Sequence, residues 1–563
     1  MKTIKFRLLI VLLAFPFLLV AQDSKLVQGK NGMVATAHPL ASQAAIEMLQ
    51  KGGNAVDAAI AAAFVIGVVE PDGSGIGGGG GMLIYLKEKK QSVYINYYPR
   101  APKTIPDKFN SATERFTAKS ICTPGTVAGL MMAHKNYGTL PLSTIMEPAI
   151  RCARDGFKID KTLGTLILEN TEALSLNPAT AAVYLDDGYP KMEGELLIQK
   201  DLAETLIEIS KNGADGFYTG PVAKSMVDGI NANGGTFTLD DFKNYQPVLT
   251  IPEKGTYRGY DILSAANPQS GVSVIEGLNI LENVDLKSLG HYTQNAKTLH
   301  IVAETFRKIY TDRFYFVGDT AFVKVPLNGL LSKEFALERF KAINQLEPQP
   351  KKYRETETGT PEKYESKGET ENDTRDVEGK GETTHLSVVD KEGNAVSLTQ
   401  TLGTFFGSGI TVNGVLFNCV VTNFSGANNP NCAVGNKQPR SSIAPSIVLK
   451  NDKPFLVVGT PGGNRIMATV LVVMVNILDF NMNAEDANQA PRFYTQKFED
   501  YLHVESGVGK NVIDELKNMG HSVRVYEGVD LFFGGVHLIT IDPVTGIYTG
   551  SADIRRGGKA IGY

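Results

Sequence analysis

The chain has 563 residues, 42% of them hydrophobic and 21% charged, a composition that excludes a mainly disordered, collagenous or disulfide-dense protein. Its 56 Lys and Arg against 60 Asp and Glu leave a net charge of −4, with no basic excess to neutralise a phosphate backbone, which argues against a nucleic-acid partner. The 57 glycines, above the average share of roughly 7%, point to many tight turns and close backbone approaches.

Lys2, Lys5 and Arg7 precede an apolar run from Leu8 to Val20 that ends at Ala21-Gln-Asp-Ser24. A positive start, a short apolar stretch and a small residue form the order of a secretory signal peptide, residues 1–21, and predict a periplasmic or secreted protein. At about 13 residues, with Pro16 inside, the run is too short to span a bilayer. Export permits disulfides. Cys419 and Cys432 are near enough in sequence to pair, and two buried thiols fit equally well. None of the four cysteines forms a C-x-x-C pair and the eight histidines form no H-E-x-x-H, so neither metal nor organic cofactor is implied.

Apolar spacing over residues 40–51 predicts an amphipathic helix stopped by Gly52-Gly53, and Asn54 is placed to cap a second, alanine-rich helix from Ala55 to about Val69, buried on most sides. The run Gly73–Gly81 contains G-x-G-x-x-G, but it follows a helix and opens a strand, the reverse of the dinucleotide-binding context. Helical stretches are expected around 127–135, 202–211, 221–231 and 295–315. Between 347 and 382 Lys, Glu, Thr, Pro and Gly dominate and Val377 is the only aliphatic residue, so this segment reads as a mobile tether. Directly after it, residues 383–390, the turn 391–394 and residues 395–402 read as a β-hairpin.

A protease-sensitive stretch ending at a threonine that begins a buried strand suggests a chain cut between Glu382 and Thr383. The cut gives Thr383 a free α-amine beside its own hydroxyl. With a reference pKa of about 7.7–8.0, that amine can take the hydroxyl proton without a His or Lys. Thr401, on the return strand, lies near enough to orient the hydroxyl. Thr460-Pro-Gly462-Gly463-Asn464-Arg465 offers adjacent N–H groups for an oxyanion. Asn436-Lys-Gln-Pro-Arg-Ser441-Ser442 places two hydroxyls after a turn, suited to a substrate carboxylate.

With these parts the chain resembles the γ-glutamyltransferase (glutathione hydrolase) family of N-terminal-nucleophile hydrolases from residue 32 to 563. The matching segments include Gly52-Gly-Asn-Ala-Val-Asp-Ala-Ala59, Gly77–Gly81, Pro124-Gly-Thr-Val-Ala-Gly129, Ala153-Arg-Asp-Gly-Phe157, Thr383-Thr-His385, Ser441-Ser442 and Pro461-Gly-Gly463. The resemblance implies an α+β protein with a four-layer αββα sandwich. It also implies self-cleavage into a large subunit, 22–382, and a small one, 383–563. Thr383 is then the nucleophile, Thr401 its hydroxyl partner, Gly462 and Gly463 the oxyanion hole, and Ser441 and Ser442 the carboxylate ligands. The implied reaction is acylation by a γ-glutamyl amide and release to water or an acceptor amine.

The departures from the family cluster at the substrate. The position of its carboxylate-binding arginine holds Tyr98, with Arg100 two residues on and, in an extended segment, on the same face. The family's ligands for the glutamyl α-amine read here as Gly403, Val420 and Asn423. These changes favour an amine-free, glutaryl-like acyl group as the alternative substrate. A processed but catalytically silent carboxylate-binding protein is the reading from another class.

Overall fold

The computed structural model describes residues 26–106, 109–343, 356–365, 382–497 and 499–563. The predicted signal peptide therefore lies outside the described residues, as do 347–355 and 366–381 of the predicted tether. Two seven-stranded antiparallel sheets face each other. One runs Lys559–Gly562, Gly32–Thr36, Glu382–Asp390, Ala395–Gly403, Gly79–Leu86, Gln91–Tyr97 and Val248–Thr250. The other runs Val27–Gly29, Tyr548–Ala552, His537–Ile541, Lys453–Gly459, Ser446–Lys450, Tyr260–Ser264 and Glu253–Tyr257.

The pleat sends alternate side chains to opposite faces, and in the central strands both faces are covered. Leu83, Tyr94, Val389, Ile447, Val457 and Ile539 pack between the sheets. Leu386, Val388, Val396 and Leu398 face outward onto the helices Pro39–Gln50 and Ala55–Val69. On the far side Val448, Leu456, Val458 and Leu538 meet Gly271–Leu281, Ala296–Phe316 and Ile466–Leu478. This is the expected order helix, sheet, sheet, helix. Among the described residues no helix is long and apolar enough to cross a membrane.

Local expectations fare well where a cap or a period carried them. Asn54 and Asp57 form a capping box, and Ala55–Val69 is buried at every position but Gly67. The helix before it is stopped by Gly52, at φ 87°. The glycine run has a packing role: a Cβ on Gly78 would fall on the carbonyl of Thr401, and one on Gly80 on that of Thr399. Those residues let the chain lie flat against the strand that carries Thr401.

The tether needs a correction. Residues 356–365 are docked, with Pro361–Tyr364 forming a 3₁₀ turn over Leu327–Leu331 and Lys333–Lys341. Composition missed this because the attachment is polar. The buried Arg307 donates to Thr356 Oγ1 (2.7 Å), Asp312 Oδ1 accepts from Gly359 N–H (2.9 Å), and Glu365 Oε1 accepts from Gly329 N–H (2.7 Å). Buried charges need partners, and this segment supplies some of them.

Candidate active site

The hairpin Glu382–Asp390 and Ala395–Gly403 is in register from Val389↔Ala395 to Thr384↔Gln400, then shifts so that Glu382 faces Gly403. Thr401 and Leu402 therefore oppose the single residue Thr383. A bulge of this kind bends the strand and re-aims side chains. Here it sits on the bond expected to be cut.

Thr383 and Thr401 are both buried. Thr383 Oγ1 donates to Thr401 Oγ1 at 3.4 Å, and Thr401 Oγ1 in turn donates to the carbonyl oxygen of Glu382 while accepting from Gly403 N–H at 2.8 Å. A proton-bearing relay thus joins the hydroxyl of residue 383 to the carbonyl immediately before it. Thr401 holds that carbonyl polarised.

Thr383, Thr401, Gly403, Tyr98, Asn423, Ser441, Ser442 and Gly463 line one cavity. Its free space is about 40 Å³, above the roughly 10–15 Å³ that holds one water molecule. Gly462 stands behind Gly463, outside the lining, at φ 127°, and a Cβ there would come within 3.0 Å of Gly534 Cα. The turn therefore depends on glycine at this position.

Arg100 is not brought to the cavity. The strand ends at Tyr97, Arg100 forms a backbone bridge with Thr123, and its guanidinium lies 3.7 Å from Asp319. The same-face argument fails because the segment does not continue in the sheet. Tyr98 does line the cavity: its hydroxyl accepts from Asn423 Nδ2 at 2.7 Å and is within hydrogen-bonding reach of Ser441. Burial pushes the phenol well above its usual range, so it stays neutral. Val420 is fully buried behind the lining. Gly403 lies at φ 102°, with Cys419 Sγ 3.0 Å from where a Cβ would stand, so a side chain there would strain the backbone and press on Cys419. The four cysteines are free thiols, and Cys419 faces Thr404 Oγ1 (3.2 Å) rather than Cys432.

Two cavity arginines escaped the sequence reading. Arg313 donates from Nε to Ser270 Oγ (2.8 Å) and from Nη2 to Ser442 Oγ (3.3 Å). Arg440 is buried with its guanidinium on Phe314 O, Asn429 Oδ1 and Ser425 Oγ. Arg313 belongs to a helix whose Glu304, Arg307, Lys308, Asp312 and Arg313 look like a solvated face yet are all buried. Only the position of Arg440 directly before the serine pair could have marked it.

Behind Thr383 lies a second set of charges. Arg556 donates to Glu382 Oε2 and lies 3.4 Å from Glu70 Oε1, while Glu70 Oε2 accepts from Thr384 Oγ1. Burial raises Glu70 to about 7, against the opposing pull of Arg556 and the Thr384 hydroxyl. Asp72 beside it is raised by burial and then by Glu70. A carboxyl raised on folding holds its proton more tightly in the native state. Its contribution is therefore full below the ordinary glutamate value of 4.5 and is lost as pH rises toward 7. Glu70→Gln is expected to flatten this decline, read as melting temperature between about pH 5 and 8. An unchanged slope refutes the assignment.

The gamma-glutamyltranspeptidase family model matches residues 41–563. A glutathione hydrolase proenzyme of Bacillus subtilis (strain 168) is 39% identical over 554 residues, covering 95% of this chain and 92% of its own. The glutathione hydrolase proenzyme of Escherichia coli (strain K12) is 37% identical over 555 residues, covering 94% and 91%. Among solved structures, a cephalosporin acylase from Bacillus halodurans superposes with a TM-score of 0.86 at 27% identity, covering 99% of both chains. By its sequence, its paired sheets and the threonine hairpin at their centre, this chain belongs to the gamma-glutamyltranspeptidase family.

Proposed function

We propose that the protein is an exported precursor that cuts itself between Glu382 and Thr383 and then acts as a threonine amidohydrolase on γ-glutamyl-type amides. The large subunit is 22–382 and the small one 383–563. The observation that carries this reading is the relay from Thr383 Oγ1 through Thr401 Oγ1 to the Glu382 carbonyl, beside a cavity lined by Ser441, Ser442 and Gly463.

In self-cleavage the Thr383 hydroxyl oxygen attacks the Glu382 carbonyl carbon. The amide nitrogen leaves with the hydroxyl proton, and water opens the resulting ester to a Glu382 carboxylate and a free Thr383. In turnover the new α-amine takes the hydroxyl proton, Thr383 Oγ1 is acylated by the substrate amide, and the amine product leaves protonated. Water or an acceptor amine then releases the acyl group. Gly462 and Gly463 supply the N–H donors for the oxyanion, a term worth about 10²–10³ in rate per donor. Ser441 and Ser442, with Arg313 beside them, hold the terminal carboxylate of the acyl chain.

A second reading, an acylase preferring a glutaryl-type chain without the α-amine, is favoured by Tyr98, Asn423 and the glycine at 403, which has no side chain to offer an amine. The family relatives include both glutathione hydrolases and an acylase by name. Intact mass of the purified protein, followed by kcat/KM for γ-glutamyl and glutaryl anilides, tests both. Two fragments and turnover of either anilide support the chemistry, and a γ-glutamyl preference removes the acylase reading. A single uncut chain overturns the proposal.

A further inference from the structure

The residue before the cut is held by its side chain as well as by its backbone. Glu382 is buried, and its two carboxylate oxygens face different arginines: Oε2 accepts from Arg556 Nη2, and Oε1 lies 3.6 Å from Arg465 Nη2. Both arginines are anchored elsewhere. Arg465 donates from Nε to Phe532 O (2.8 Å) and lies over the Phe532 ring, 4.7 Å from its centroid. Arg556 also faces Glu70, which accepts from Thr384 Oγ1. Burial would lower Arg556, but Glu382, then Glu70, more than reverse this and keep it charged.

One guanidinium therefore brackets Thr383. It grips residue 382 directly and residue 384 through Glu70. The second arginine comes two residues after Gly463, from the turn that lines the cavity. Together they hold the Glu382 side chain at the bulge, where the Glu382 carbonyl accepts from Thr401 Oγ1, the partner of the Thr383 hydroxyl. Attack on a carbonyl needs the reacting atoms at about 3–3.5 Å and aligned, and a displacement near 1 Å can cost about 10²-fold.

We infer that the Glu382 side chain is a handle for self-processing, and that Arg556 and Arg465 are positioning residues that hold the scissile carbonyl for attack by Thr383. The inference rests on the self-cleavage reading above. The handle serves the first step, in which the C–N bond breaks, the ester C–O bond forms and the hydroxyl proton passes to the departing amine. It has no part in the water step that follows.

The experiment follows the appearance of the two fragments by intact mass in freshly synthesised full-length chain. Glu382→Gln keeps the shape of the side chain and removes its charge, and is expected to slow cutting by about tenfold to a hundredfold. Neutral hydroxylamine opens esters but not amides. It is expected not to restore the rate, because attack rather than ester opening is impaired. Arg465→Met should slow cutting similarly and Arg465→Lys should recover part of the rate, which keeps the test intact if the Glu382 variant does not fold. A Glu382→Gln chain that matures at the wild-type rate, or one that hydroxylamine restores, overturns the handle. A wild-type chain that never cuts instead overturns the underlying reading.

Discussion

Thr383→Ala is expected to yield one uncut polypeptide with amide turnover reduced by about 10⁶-fold, the scale seen when a serine-protease nucleophile is removed. Two losses coincide. The methyl side chain has no oxygen to attack the Glu382 carbonyl, so the α-amine stays locked in a peptide bond, and the mature reaction loses both nucleophile and base. Thr383→Ser restores both groups and should mature, because a primary hydroxyl can make the same bond to Thr401 Oγ1, now 3.4 Å away. Intact mass and anilide hydrolysis read the two consequences separately. An alanine variant that still appears as two fragments places the cut, or its cause, elsewhere.

Asn423→Asp is expected to raise the ratio of kcat/KM for γ-glutamyl over glutaryl anilide by about 30-fold or more. Asn423 donates to Tyr98 OH at 2.7 Å. An aspartate fits the same space and accepts from the phenol, so the network reverses polarity without repacking. The cavity then gains a carboxylate to face the ammonium that distinguishes a glutamyl chain from a glutaryl one. Truncating one partner of a buried charge pair costs roughly 2–5 kcal/mol, equivalent to about 30-fold to several thousand-fold in binding. A ratio that does not move would show that the α-amine position lies away from residue 423.

What could be read from the residues alone depended on whether a signal was local. The helix cap at Asn54, the stop at Gly52 and the hairpin expected from residue 383 rest on neighbours in sequence, and they appear within a residue or two of their expected bounds. Thr383, Thr401, Ser441, Ser442 and Gly463 could be named because each sits in a short segment of recognisable chemistry, and the fold brings them to one cavity. Arg440 could have been marked only by standing directly before the serine pair, and Arg313 and the Arg556–Glu382 pair not at all. They are long side chains from distant elements whose partners are set by how helices and sheets stack. Arg100 misled for the same reason: its neighbour in space is Asp319, far along the chain. The 356–365 segment misled differently, since counting aliphatic residues overlooks polar docking onto buried Arg307 and Asp312.

The strand order has a further consequence. In one sheet Glu382–Asp390 and Ala395–Gly403 lie between Gly32–Thr36 and Gly79–Leu86, and Lys559–Gly562 caps the edge beyond Gly32–Thr36. The other sheet mixes the same two stretches of chain. A cut before Thr383 therefore divides a woven fabric rather than two neighbouring bodies. An uncut chain would refold as one molecule, whereas the halves of a nicked one would have to find each other by collision, so its refolding is expected to depend on concentration. Halves so joined could not part without tearing both sheets, and the persistence of a cut protein would rest on the height of that unfolding barrier.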